Sequence, residues 1–167
     1  MSCITLIGMP GCGKSTVGVV LAKTSGKDFT DTDLLIQEHE GELLQNIIDH
    51  NGIEYFKKIE AKVLTELTKK NCVIATGGSA IYYPEAMNHL KSQGAVIYIK
   101  LSLETIKKRL DNMKTRGIAM ESGVTLEMLY KQRIPLYEEY ADIVIDGENK
   151  DVEELVTMML NKLATKR

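Results

Sequence analysis

The sequence predicts an α/β fold of three layers, a parallel sheet of about five strands with helices on both faces. Three observations predict it. Short continuous apolar runs, "CITLIG" and "AVIYIKL" among them, recur along the chain. Stretches with apolar residues at helical spacing separate these runs. A glycine-rich turn, "GMPGCGKST", follows the first run and opens the first helical stretch.

The elements follow in order. Cys3 to Gly8 is a short run, apolar but for Thr5, that ends on glycine and reads as a buried strand. From Lys14 through Lys23, Val17, Val20 and Leu21 fall at helical spacing. "DFTDTD", Asp28 to Asp33, reads as a short strand edge carrying carboxylates. A helical stretch with Leu43, Leu44, Ile47 and Ile48 comes next. "GIEYFKKIEAKVLTELTKK" then sets Phe56, Ile59, Val63, Leu64 and Leu67 on an i, i+3, i+4 stripe. Further strands are expected at Cys72–Thr76, Ala95–Leu101 and Ala141–Asp146, and a helix from Val152 to Leu163. "KTRGIAMESG", Lys114 to Gly123, lacks an apolar period and joins two helices, so a mobile lid is expected over about 114–123. Residues 1–167 are expected to form a single domain.

The bulk properties exclude several classes. A net charge of −2 without any block of like charges argues against a nucleic-acid binder. The three cysteines, Cys3, Cys12 and Cys72, form no CxxC pair, so neither a disulfide framework nor a zinc site is expected. Cys3 and Cys72 read as small buried side chains, and Cys12 as a filler position in the glycine turn. Ile4–Ile7 is too short, and lacks the basic flank, for a signal peptide. No apolar run approaches the ~18 residues that span a bilayer. A cytoplasmic protein is expected, and a monomer by default, because a chain this long buries its own core.

Gly8-x-x-x-x-Gly13-Lys14-Ser15 matches the Walker A pattern, with a strand before it and a helix after it. Its glycines let backbone N–H groups wrap a phosphate, and the helix N-terminus favours the anion. Lys14 is expected to reach the β and γ phosphates, and Ser15 to hold Mg²⁺. The chain therefore reads as a three-layer P-loop fold that binds a nucleoside triphosphate. No guanine-reading N-K-x-D run is present, and a motor needs a longer chain. A small kinase fits best.

An acceptor must lie in line with the γ phosphate, beside a carboxylate that takes its proton. "DTD" supplies Asp31 and Asp33, which point the same way if the backbone there is extended. Asp31 is then expected toward Mg²⁺ and Asp33 toward the acceptor hydroxyl; the competing reading is a helix N-cap pair. "TGGSA" (Thr76–Ala80) ends a central strand, where open α/β sheets bind ligands. "RIPLYEEYAD" places Arg133 before a proline kink, where a buried arginine grips a carboxylate and a surface one does not.

Taken together, "GMPGCGKSTVG", "FTDTD", "GIEYFKKIEA", "VIATGGS" and "RIPLYEEYAD" occur in the order found in shikimate kinases, and the chain resembles that family over nearly its whole length. The resemblance implies a nucleoside-monophosphate-kinase-like fold and ATP-dependent phosphorylation of a hydroxyl on shikimate, a step in aromatic amino-acid biosynthesis. It implies that Gly11, Cys12, Gly13, Lys14, Ser15, Thr16 and Arg109 serve ATP, with Arg109 near adenine. Ser15 and Asp31 would serve Mg²⁺. Lys14, Asp33 and Arg116 would be catalytic, Arg116 as the lid arginine. Asp33, Lys57, Gly77, Gly78, Ser79 and Arg133 would line the acceptor site, within and beyond an acceptor-binding region at about 31–60.

The chain departs from the family at three places: Lys57 stands for an arginine, Ser79 for a third glycine, and Gly117 for a proline. All three touch the acceptor side or the lid. Two alternatives stay open, a kinase for another small hydroxy acid or polyol and a non-catalytic ATP-binding relative. A nucleotide kinase fits less well, because it needs more arginines for a second nucleotide than Arg109, Arg116 and Arg133 supply.

Overall fold

Apolar residues on both faces of a strand are stable only where both faces are covered. A computed structural model describes residues 2–112 and 123–166 and shows that arrangement. Five parallel strands stand in the order β2-β3-β1-β4-β5. They are β1 (Cys3–Ile7), β2 (Asp28–Asp31), β3 (Cys72–Ala75), β4 (Gly94–Lys100) and β5 (Ile143–Asp146). The helices are α1 (Lys14–Ser25), α2 (Thr32–Glu40), α3 (Leu44–Asn51), α4 (Ile53–Glu66), α5 (Pro84–Gln93), α6 (Leu103–Asp111), α7 (Leu126–Tyr140) and α8 (Val152–Thr165). A 3-10 turn covers Ala80–Tyr82. Among the described residues no helix is long and apolar enough to cross a membrane.

β1 is central. Leu6 pairs with Ala75 on one side and Ile97 on the other, and every residue of β1 is buried. Full burial of a side chain such as Leu6 is worth roughly 1.5–3 kcal/mol. β5, at an edge, alternates buried and exposed residues instead. α1 packs on α8 and β3. Gly18 permits the close approach of α1 to the sheet, because a Cβ there would lie 2.7 Å from the Phe29 ring. Ile36, Leu44, Ile47 and Phe56 form a second small core under α2, α3 and α4.

Several boundaries differ from those the sequence suggests. β2 stops at Asp31, and Asp33 lies in the first turn of α2. The extended geometry that would align Asp31 with Asp33 is therefore absent, and the capping alternative holds in part. The stretch near Leu43 forms a helix separate from α2, because Gly41 ends α2 at φ 71°. β5 begins at Ile143 because the Asp142 carboxylate itself accepts from the Val96 N–H at 2.9 Å. Pro135 lies inside α7, which continues past it to Tyr140.

Candidate active site

β1 is flanked by β3 and β4; the chain runs from β1 to β2 and β3 on one side and then crosses to β4 and β5 on the other, so the loop beyond the carboxyl end of β1 is the place for a ligand. Gly8, Gly11 and Gly13 adopt φ values of 151°, 80° and 92° there. Gly11 and Gly13 thus hold left-handed conformations that favour glycine. No side chain caps α1, and its first turn carries no acidic residue, so its N–H groups face the loop. Lys14 is buried and its Nζ donates to the Gly8 and Met9 carbonyls at 2.7 and 3.0 Å. Cys12 is buried in the same loop. Thr16 is exposed on the first turn of α1.

Asp31 joins the two halves of the site. Its Oδ2 accepts from the Ser15 hydroxyl at 2.6 Å, and its Oδ1 accepts from the Asp33 N–H at 2.9 Å. One carboxylate thus ties the glycine loop to the first turn of α2. These are hard oxygen donors and fit Mg²⁺, which takes one or two protein oxygens and completes its shell with phosphate and water. Among the described residues no group of three or more His, Cys, Asp or Glu is placed to hold a metal ion.

On the β3 side, Gly77 and Gly78 are pressed between side chains. A Cβ on Gly77 would lie 2.8 Å from Asp33 Oδ1 and 2.9 Å from Glu60 Oε2. A Cβ on Gly78 would lie 2.8 Å from both Arg133 Nη1 and Pro10 Cδ. Arg133 is 2% exposed, its Nε donates to the Tyr82 hydroxyl at 3.3 Å, and its guanidinium stands 5.4 Å from the centre of that ring. One turn along α7, the Tyr137 hydroxyl donates to the Gly78 carbonyl at 2.6 Å and its ring stacks on Tyr98. Lys57 lies 3.4 Å from Glu54. A cavity of about 340 Å³ opens between Lys57, Ser79, Tyr82, Leu129 and Arg133, within the size range of small-molecule sites.

On the β4 side, Arg109 donates to the Gly11 carbonyl at 3.4 Å. The structure thus brings Lys14, Ser15, Asp31 and Arg109 around the loop; Lys57, Ser79 and Arg133 line the cavity, while Gly78 packs on Arg133 and Pro10, and Gly77 on Asp33 and Glu60. Arg116 and Gly117 lie outside the described residues.

Sequence reasoning missed Glu60, Tyr82 and Tyr137. Glu60 is 1% exposed and accepts from the Ser79 hydroxyl. Burial pushes its carboxyl up to about 7; the Asp33 charge adds to the rise, while Ser79 and Arg133 oppose it. The signal was present: Glu60 sits four residues from Phe56 and from Leu64, on the buried face of α4. A carboxylate in such a stripe has to be held by partners.

The model of the shikimate kinase family matches residues 10–164. The chain belongs to the shikimate kinase family. The shikimate kinase of Chromobacterium violaceum is 36% identical over 161 residues, covering 95% of this chain and 88% of that protein. That of Legionella pneumophila (strain Corby) is 37% identical over 163 residues, covering 96% and 93%. Among solved structures, the Acinetobacter baumannii shikimate kinase in complex with shikimate superimposes with a TM-score of 0.91 at 32% identity, covering 100% of this chain and 95% of that one. The Aquifex aeolicus shikimate kinase gives 0.85 at 35%, covering 98% and 97%. A gluconokinase from Sinorhizobium meliloti, 17% identical with a TM-score of 0.55, shares the fold alone.

Proposed function

We propose that this shikimate kinase family member transfers the γ-phosphoryl group of ATP to a hydroxyl of shikimate. The observation that carries the reading is the Asp31 bridge. It sets the phosphate-loop serine and the Asp33 backbone on one carboxylate, at 2.6 and 2.9 Å. A nucleotide in the loop and an acceptor beside Asp33 would therefore meet at a fixed separation, which is where phosphoryl transfer draws most of its rate.

In this reading Gly11, Cys12, Gly13, Lys14, Ser15 and Thr16 hold the phosphates, and Arg109 faces the base. Lys14 leaves the Gly8 and Met9 carbonyls for the phosphate oxygens. Ser15 and Asp31 would hold Mg²⁺, which would supply neutralisation of phosphate charge when bound. Asp33 orients the acceptor hydroxyl and accepts its proton. The hydroxyl oxygen forms the new bond to the γ phosphorus, the bond to the bridging oxygen breaks, and ADP leaves with that electron pair. Arg133, buried and aligned by Tyr82, pairs with the acceptor carboxylate, and Lys57 adds a second cation. Gly77 and Gly78 let the acceptor approach the backbone. Arg116 closes over the transferring group from a lid at about 114–123.

The test is ADP release with ATP, Mg²⁺ and shikimate, beside a panel of hydroxy acids and polyols. Turnover on shikimate in the ~1–100 s⁻¹ range usual for kinases supports the reading. Turnover confined to another panel member overturns it and favours the second reading, a changed acceptor. That second reading has its own support: Lys57 and Ser79, two of the family departures, both line the cavity.

A further inference from the structure

Glycines carry no side chain to fix the planes of their peptides, so a turn built from them points where its carbonyls are held. Thr76, Gly77 and Gly78 follow β3, and each is held differently. The Thr76 N–H and hydroxyl both donate to the Leu6 carbonyl of β1, at 3.2 and 2.9 Å. The Gly77 carbonyl accepts from the Ala80 N–H at 3.3 Å, inside the turn itself. The Gly78 carbonyl accepts from outside the turn, from the Tyr137 hydroxyl of α7 at 2.6 Å. Tyr137 is 1% exposed, and its ring stacks on Tyr98 of β4 with centroids 5.0 Å apart, which fixes where the hydroxyl stands. Burial pushes that phenol up, so it keeps its proton and remains a donor. The same oxygen lies 3.9 Å from the Met9 sulfur, and a Cβ on Gly78 would lie 2.8 Å from Pro10 Cδ. Met9 and Pro10 belong to the phosphate loop. One hydroxyl of α7 thus stands where the phosphate loop and the glycine turn meet.

We propose that Tyr137 is a positioning residue for acceptor recognition: its hydroxyl fixes the plane of the Gly78–Ser79 peptide, and with it the cavity wall at Ser79, against the phosphate loop. A trans peptide points its C=O and its N–H in opposite directions. Holding the Gly78 carbonyl toward α7 therefore turns the Ser79 N–H away from α7 and sets the start of the 3-10 turn. Ser79 lines the cavity. Without the hydroxyl, the Gly78 carbonyl is an acceptor that has lost its donor, and the peptide turns to find another. The kinetic consequence rests on the acceptor reading above; the structural one does not.

The test is Tyr137→Phe, which keeps the ring and its stack and removes one oxygen. A crystal structure of the ligand-free variant should show the Gly78 carbonyl turned from its wild-type direction. With shikimate, the acceptor KM should rise about three- to tenfold, the worth of one neutral hydrogen bond, while kcat and the KM for ATP stay within about twofold. Tyr98→Phe is the control. It takes the hydroxyl from the other ring of the stack, which is buried and has no hydrogen-bond partner among the described residues, and should leave both KM values unchanged. Placing 4-aminophenylalanine at position 137 restores a donor and should return the acceptor KM to its wild-type value. A Gly78 carbonyl that keeps its direction in Tyr137→Phe overturns the proposal, whatever the acceptor proves to be. So does an unchanged acceptor KM, an equal rise in both KM values, or an equal effect from Tyr98→Phe. If phenylalanine impairs folding, the 4-aminophenylalanine protein decides: the acceptor KM should follow the bond to Gly78, and a KM raised with that bond kept overturns the proposal. A wild-type protein that ignores shikimate and turns over another hydroxy acid or polyol overturns the acceptor reading instead, and the KM is then read on that acceptor.

Discussion

Asp33 and Glu60 face each other across Gly77, each with a carboxylate oxygen within 2.9 Å of the point a Cβ on that glycine would occupy. Gly77→Ala therefore drives a methyl group between two carboxylates. Both contacts are side-chain ends and can give, so the variant folds at a cost of about 1–3 kcal/mol. Asp33 is displaced from its place beside the loop. We expect kcat/KM for the acceptor to fall at least ~100-fold, as misplacement of a reacting group does, with ATP affinity retained. Steady-state kinetics and nucleotide titration check this; equal losses on both substrates contradict it.

Asp33→Asn removes the proton acceptor and keeps the shape. A general base contributes about 10²–10⁴ in rate. We expect kcat to fall in that range with the KM for ATP unchanged. A fall below tenfold means that Asp33 only orients the acceptor.

Arg133→Lys keeps the charge and loses the planar fork, along with the Nε bond to Tyr82. The acceptor KM should rise about 10–100-fold with kcat little changed. The complementary change, Lys57→Arg, should hold or lower the acceptor KM if shikimate is the acceptor. A large loss in Lys57→Arg would show a pocket built around lysine and a different ligand.

Glu60 gives a stability prediction with a definite sign. Its carboxyl is raised from the ordinary 4.5 to about 7 in the folded chain. Below about pH 4.5 both folded and unfolded chains hold the proton, and the group does not alter stability with pH. Between about 4.5 and 7 the unfolded chain releases the proton first, so stability falls as pH rises through this window and levels off above it. Glu60→Gln removes that fall. Relative to the wild type, the variant should gain on the order of 3 kcal/mol between pH 4 and pH 8. Urea unfolding at a series of pH values measures the difference; parallel curves for the two proteins contradict it.

The sheet was legible in the sequence because β1, β3 and the middle of β4 are buried on both faces and read as mainly apolar runs. The phosphate loop was legible because its glycines, lysine and serine serve local backbone geometry. The end of β2 was harder, since Asp31 serves as the last strand residue, helix cap and Ser15 partner at once. The burial of Arg133 was left open by the sequence, because it depends on where α7 packs and on a helix that continues through Pro135. Glu60 escaped notice for a related reason: its partner Ser79 lies nineteen residues away, on a turn that only the β3 register brings beneath α4.

The central claim is tested most directly by the product. Purified protein is incubated with ATP, Mg²⁺ and shikimate, and the mixture is followed by proton–phosphorus correlation NMR. One new phosphate monoester correlated to a ring proton of shikimate should form in step with ADP. ADP accompanied by inorganic phosphate alone, or no ADP at all, would contradict that claim.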